Sequence, residues 1–530
     1  MKFSSKRFLR PFTLAGLAMS STMPFCNAQV PLQKPNILFI AVDDLKPELG
    51  CYGNKLIKTP NIDRIAARGT VFMQNYCQQA VSGPTRASLM TGKRPDYTKV
   101  WDLQTKMRDI NPDILSIPQY FAKNGYVTAG IGKIFDYRCV DNDMDKPSWS
   151  VPYFDVPSRY YFNNQPTILS YYQDPETRAL AQKYMEEATA KGLKAQEARE
   201  YVVKFVRPSV ECMDLPDNAY NDGAMTDRVK EILAGLSGEK QPFFLAVGFA
   251  RPHLPFVAPE KYWDLYKLDE MPLAQFREHA KNSPELAYHN SGELRTYTDI
   301  PSLASFTDVM INKIGLPFEK QKELIHGYYA SVSYVDAQVG KILSTLDSLG
   351  LSENTIIILW GDHGWHLGDH DLWCKHTNFE QAARAPLLIS APGIKPGKTK
   401  SVSEFVDIFP TLCDLSGLKT PDALDGTSLV PVMKNPGSSV KEFAVSQYPH
   451  AGKMGYSIRT SQYRLTWWMQ NGFRSDAPFN NDLIIERELY DYKKDPLETI
   501  NVVNDKKYKE IAEELGKTMS GFFESQAKAK

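Results

Sequence analysis

The 530-residue chain has only seven cysteines and no Cys-x-x-Cys pair. It has no excess of either charge, and beyond its first residues no apolar run long enough to span a membrane. Each absence excludes something. Six cysteines, Cys51, Cys77, Cys139, Cys212, Cys374 and Cys413, lie beyond the N-terminal segment at wide, irregular spacings. Six thiols allow about 15 pairings and these spacings select none. A chain of this length holds a core without staples, so buried free thiols are expected. Without clustered cysteine, a soft-metal site is not expected. Lys+Arg and Asp+Glu both number 62, so there is no bulk basic field for nucleic acid. An anionic ligand has to be drawn by a local cluster. The absence of a further run of ~20 apolar residues argues against a transmembrane segment. No internal repeat or low-complexity tract is visible. Hydrophobic content of 42% and charged content of 23% suit a globular protein.

The N-terminus reads as an export signal. Lys2, Lys6, Arg7 and Arg10 are a basic start, Phe12–Met19 is a short apolar core, and Cys26-Asn27-Ala28 precedes a cut ahead of Gln29. The mature protein is expected in the periplasm or secreted. A lipid-modified Cys26, giving an outer-membrane lipoprotein, ranks second because Met23-Pro24-Phe25 lacks small residues.

The fold class expected is α/β. Pro35–Val42 is a near-continuous apolar run, as for a strand buried on both faces. Similar runs recur at Tyr126–Ile131, Phe243–Phe249, Thr355–Trp360 and Pro386–Ser390. Helical patterns lie between them, at Asn61–Arg68, Ile117–Asn124, Thr226–Leu236, Glu319–Leu349 and Val402–Leu415. The alternation predicts a doubly wound sheet flanked by helices, with ligands beyond the carboxyl ends of its strands. Residues 140–222, with a long helical pattern at Glu176–Val206, and residues 255–318 read as insertions over the sheet. The turn-rich Lys434–Ser439 marks a boundary. A catalytic domain at 29–440 and a smaller α+β subdomain at 441–530 follow, the latter with strands at Tyr456–Arg459 and Tyr463–Trp468 and a helix at Lys506–Gln526.

Two strand ends carry candidate chemistry. Asp43 and Asp44 are adjacent carboxylates, costly at that range unless a cation neutralises them. Gly361-Asp362-His363-Gly364 adds a carboxylate and an imidazole. Carboxylate oxygens suit a hard cation such as Ca²⁺, with Mg²⁺ second. The competing reading is that Asp43-Asp44 caps a turn. A third element is Ser82-Gly83-Pro84-Thr85-Arg86, running on to Thr91-Gly92-Lys93-Arg94-Pro95. By itself it also reads as a helix start with Ser82 as cap and Arg86 in solvent.

That third element resembles the signature of the type I sulfatases, S/C-x-P-S/T-R with a T-G-x-x-P-like tail. The resemblance implies an alkaline-phosphatase-like sandwich: a large mixed, mainly parallel sheet with a smaller C-terminal subdomain. It implies that Ser82 is oxidised to formylglycine, whose hydrate attacks sulfur with one hydroxyl and expels sulfate through the other. It assigns the metal to Asp43, Asp44, Asp362 and His363 with Ser82, and the sulfate pocket to Arg86, Lys133 and Lys375. His253, in Arg251-Pro252-His253-Leu254-Pro255, or Lys375 would protonate the leaving oxygen. The chemistry is coherent, because a metal and several cations can hold the oxygens of a compact anion in the transition state. His366, His370 and His376 are expected to support the site.

Further stretches are similar to the iduronate-2-sulfatase branch, among them Leu49–Gly53, Thr59–Asp63, Gln78–Val81, Gly364–Gly368, Ser446–Pro449 and Met454–Thr460. The implied substrate is a 2-O-sulfated uronate ending a glycosaminoglycan fragment. Three positions depart from that branch. Ser82 stands where it carries cysteine, which implies a bacterial enzyme matured by an anaerobic radical-type formylglycine-generating partner. Asp136 stands where it carries histidine, and is a candidate base or substrate contact. His450 stands where it tends to carry arginine, and is a second candidate substrate contact. Two other readings remain: a phosphoesterase of the same fold using unmodified Ser82, and a protein that binds sulfated glycans without turnover.

Overall fold

All seven residues of Asn36–Val42 are buried, and their alternation builds both sides of the protein. Ile37, Phe39 and Ala41 enter one core, shared with Ala87, Leu89 and Met90. Leu38, Ile40 and Val42 enter the opposite core, shared with Leu324, Tyr328 and Val332 of the long helix Phe318–Ser348. Each large side chain so buried contributes about 1.5–3 kcal/mol. The computed structural model describes residues 34–156, 171–300, 315–470, 472, 474 and 479–528. The expected export signal at 1–28 lies outside the described residues.

The main sheet has seven strands. Their order is Gly397–Glu404, Thr70–Tyr76, Leu387–Ser390, Thr355–Gly361, Asn36–Val42, Phe243–Phe249 and Val127–Gly132. Leu387–Ser390 runs antiparallel to both neighbours and the other pairings are parallel. The sheet is thus mixed and mainly parallel, with helices on both faces, as expected. The last four strands in that order are mutually parallel, so their carboxyl ends share one edge.

Four features differ from the sequence reading. Thr70–Tyr76 is a strand that the sequence does not signal, because Gln74 and Asn75 interrupt its apolar run. The helical pattern at Val402–Leu415 splits into the end of strand Gly397–Glu404 and helix Ile408–Leu415. Glu176–Val206 forms two helices, Pro175–Ala190 and Ala195–Val203, broken at Gly192 with φ +75°. The stretches read as separate insertions are joined, since Val210–Met213 pairs in parallel with Phe256–Pro259.

Phe443–His450, Lys453–Thr460, Tyr463–Met469 and Ile484–Asp491 form a four-stranded antiparallel sheet, with helix Lys509–Lys528 beyond it in the chain. This sheet belongs to the same compact unit, Pro35–Lys530, as the main sheet. Glu380 ties the two together. It meets Arg459 Nε at 3.1 Å and Arg464 Nη2 at 2.7 Å, and accepts the Tyr76 hydroxyl at 3.0 Å. All six cysteines beyond the N-terminal segment are free; five are buried, and Cys212 is exposed against expectation. Among the described residues no helix is long and apolar enough to cross a membrane.

Candidate active site

The four parallel strands deliver their next residues to one edge. Asn36–Val42 leads to Asp43 and Asp44, Thr355–Gly361 to Asp362 and His363, Val127–Gly132 to Lys133, and Phe243–Phe249 to the loop bearing His253. Glycines permit the close approach there. A Cβ on Gly132 (φ +78°) would lie 2.2 Å from the Gly248 carbonyl oxygen, and one on Gly248 equally near the Lys133 backbone.

Ser82 opens helix Ser82–Thr91, but not as its cap. Val81 holds the cap position, and no side chain caps the helix. All ten helix residues are buried. The Ser82 hydroxyl points into the strand-end cluster, donating to Asp43 Oδ1 at 3.2 Å with His363 Nε2 at 3.4 Å. Arg86, one turn on, is fully buried rather than solvated. It donates through Nε to Asp362 Oδ2 and through Nη2 to Asp43 Oδ1, both at 3.0 Å. Its Nη1 serves the carbonyls of Lys133 and Ile134. Five donors in a fixed fork suit this role, which a lysine cannot reproduce.

The carboxylates meet in two overlapping groups. Asp44, Asp362 and His363 form one, and Asp43, Asp44 and His253 the other. Lys133 Nζ lies 2.6 Å from Asp43 Oδ2. Burial pushes Asp43 up, yet Lys133, Arg86 and His253 together hold it well below the ordinary carboxylate range. Asp44 is raised, since burial and the neighbouring Asp43 outweigh Lys375, His253 and His363. Lys375 Nζ reaches Asp44 Oδ2 at 3.1 Å.

Lys375 has a second anionic partner, Glu293, at 2.9 Å. Glu293 also faces His253 Nε2 at 3.1 Å. The other ring nitrogen, Nδ1, lies 2.6 Å from the Leu254 carbonyl. Both nitrogens thus face acceptors. Burial raises Glu293, but Lys375 and His253 reverse this and leave it well below its usual range. Sequence reasoning missed Glu293. It sits in an irregular stretch, Asn290-Ser291-Gly292-Glu293, and no motif marks it.

Asp136 and His450 sit differently from the rest. Asp136 is buried, and its oxygens accept from Arg138 Nε and Nη2, each at 2.8 Å, and from the Arg138 amide at 3.1 Å. Against burial, Arg138 and Lys133 bring it down to about 2. Its carboxylate is turned to Arg138. His450 is half-buried, with Nδ1 2.9 Å from the Leu286 carbonyl and its ring 6.2 Å from Tyr448. It is within electrostatic reach of His289, which is in turn within reach of Glu293 and Lys375.

The chain matches the Sulfatase family over residues 35–418, and the N-sulphoglucosamine sulphohydrolase C-terminal family over residues 368–525. It belongs to the sulfatase family. It is 33% identical to iduronate 2-sulfatase of Homo sapiens over 89% of this chain and 91% of that one. It is 32% identical to a sulfatase of Formosa agariphila over 96% of this chain and 90% of the other. Its fold is that of the phosphonate monoester hydrolase from Silicibacter pomeroyi, with TM-score 0.68 and 21% identity over 92% and 94% of the two chains.

This sulfatase is a sulfuric ester hydrolase of a typically metal-dependent family, and its strand-end residues could hold a cation. His363 Nδ1 lies 2.9 Å from the Gly364 carbonyl, which can only accept, so Nδ1 carries the proton. Nε2 then faces Asp44 Oδ1 (3.3 Å) and Asp362 Oδ2 (3.6 Å), anionic oxygens with which it could share a cation. An imidazole fixed through its other nitrogen is the usual arrangement of a metal ligand.

Proposed function

We propose that this sulfatase removes sulfate esters from sugars, preferring the 2-O-sulfate of a uronate ending a glycosaminoglycan fragment. One observation carries the site assignment. The Ser82 hydroxyl, at the start of a buried helix, converges with Asp43 and His363 while Arg86 locks Asp43 and Asp362. The sugar is supported by the 33% identity to human iduronate 2-sulfatase.

In this reading Ser82 is the precursor of formylglycine, made by an anaerobic radical-type maturation enzyme. The hydrated aldehyde supplies a nucleophilic hydroxyl and a second hydroxyl whose deprotonation expels sulfate. Asp43, Asp44, Asp362 and His363, with the modified Ser82, hold one Ca²⁺, preferred over Mg²⁺ because the set is rich in carboxylates. When bound, the cation polarises the sulfate and acidifies the attacking hydroxyl. Arg86, Lys133 and Lys375 neutralise the sulfate oxygens. His253 gives a proton to the departing sugar oxygen, and Glu293 orients both His253 and Lys375. The export-like N-terminus supports a periplasmic or secreted enzyme.

The shared fold with a phosphonate monoester hydrolase favours a second reading, an esterase for phosphorus esters. Phosphoryl transfer commonly uses two metals. The two acidic groups here share Asp44 and so describe a site for one ion. The test is release of sulfate from 2-O-sulfated uronate disaccharides, beside other sulfated sugars, an aryl sulfate and a phosphonate monoester. Fastest hydrolysis of the uronate sulfate supports the proposal. Aryl sulfate turnover with none on any sulfated sugar refutes the substrate, and preference for the phosphonate refutes the reaction.

A further inference from the structure

Asp136 stands where the iduronate-2-sulfatase branch carries histidine, and its pairing with Arg138 has a directional consequence. Asp136 takes Arg138 side-on, through Nε and Nη2. A guanidinium has five N–H donors. Among the described residues, Arg138 Nη1 donates to nothing, so the end-on edge formed by Nη1 and the second Nη2 hydrogen is free. That edge presents two parallel donors, the arrangement that binds a carboxylate or sulfate through two oxygens. The Arg138 side chain is 39% exposed while Asp136 is buried behind it.

The turn Tyr137–Cys139 adjoins the nucleophile. It packs on the first turn of the Ser82 helix so closely that a Cβ on Gly83 would lie 2.6 Å from Cys139 Sγ. Asp136 is also within electrostatic reach of Lys133 and Arg86. Beside Arg138 stands Tyr137, 68% exposed, with the guanidinium carbon 5.5 Å from its ring centroid. An open aromatic face next to an unfilled fork suits a sugar that carries an anion, with C–H groups on the ring and oxygens on the fork. An ion pair that only braced the turn would not need an arginine with a free outer edge.

We propose that Arg138, aimed by Asp136, binds a second anionic group of the sulfated sugar, one not hydrolysed, while Tyr137 packs against the sugar ring. This rests on the sugar-sulfate reading above. The second anion is a ring carboxylate or another sulfate, which offer the fork the same chemistry.

The experiment uses the matured full chain and three substrates. These are a 2-O-sulfated uronate disaccharide, the same disaccharide with its carboxylate reduced to an alcohol, and the reduced form carrying a further sulfate. The readout is the ratio of kcat/KM between substrates, which is independent of the fraction of a variant that folds. Arg138→Gln is expected to lower the preference for the carboxylated over the reduced substrate by about ten- to a hundredfold, mainly through KM, the loss of one charge-assisted pair. Arg138→Lys should restore part of it. A drop confined to the doubly sulfated substrate identifies the anion as sulfate and still supports the fork. Active wild type with both ratios unchanged in Arg138→Gln overturns the role of Arg138 alone. Wild type inactive on every sulfated sugar overturns both this and the substrate reading.

Discussion

Replacing Asp362 by asparagine preserves shape and removes one charge at the centre of the site. Asp362 is fully buried. Its Oδ1 accepts the Asp44 amide at 2.9 Å and its Oδ2 accepts Arg86 Nε at 3.0 Å. Asparagine has one oxygen for these two donors, and its NH₂ must face the other. An unmet buried donor costs about 1–3 kcal/mol, and breaking a buried ion pair about 3–5 kcal/mol. Arg86 keeps Asp43 and two backbone carbonyls, so the lower end, about 3 kcal/mol, is expected. Separately, the site loses one of its anionic ligands, which should weaken the cation by roughly a hundredfold or more. Calorimetric titration of Ca²⁺ into wild type and Asp362→Asn reads it directly, with sulfate release measured in parallel. Unchanged Ca²⁺ affinity in a folded variant would remove Asp362 from the metal site.

Four further outcomes follow from the same geometry. Chelation should abolish sulfate release and Ca²⁺ restore it better than Mg²⁺; full activity after exhaustive chelation contradicts the metal assignment. Gly83→Ala places a Cβ 2.6 Å from Cys139 Sγ and 2.9 Å from Leu103 Cδ2, shifting Ser82, and should slow turnover by about a hundredfold; adding Cys139→Ala should recover part of it. Glu293→Gln leaves Lys375 with Asp44 alone and His253 Nε2 without its nearer carboxylate, and should lower kcat by about tenfold or more; an unchanged kcat removes Glu293 from the site. Glu380, buried between Arg459 and Arg464, is brought down to about 2 from an ordinary 4.5 despite burial. A depressed carboxyl stabilises the fold fully above the unfolded value and loses that stabilisation as pH falls toward the folded one. Glu380→Gln should therefore cost about 3 kcal/mol at neutral pH, with the gap to wild type narrowing below about pH 4.5; a pH-independent gap refutes this.

The sheet was legible because its central strands are buried on both faces and so read as apolar runs. Thr70–Tyr76 escaped notice because the polar pair Gln74 and Asn75 cuts its apolar run short. The candidate positions at the strand ends and at Ser82 were legible because each motif is local in sequence. Their convergence was not: Ser82 meets His363 across 281 residues. Glu293 gave no signal, since its partners Lys375 and His253 are brought to it only by folding. Asp136 was visible as a departure, but only the structure shows its carboxylate spent on Arg138.

The central claim is that Ser82 becomes the nucleophile through oxidation. The mass of the peptide spanning Ser82, from active enzyme purified from its native host, tests it most directly. The account predicts a peptide lighter by two hydrogens that reacts as an aldehyde. A fully active enzyme with unmodified serine at position 82 would contradict it.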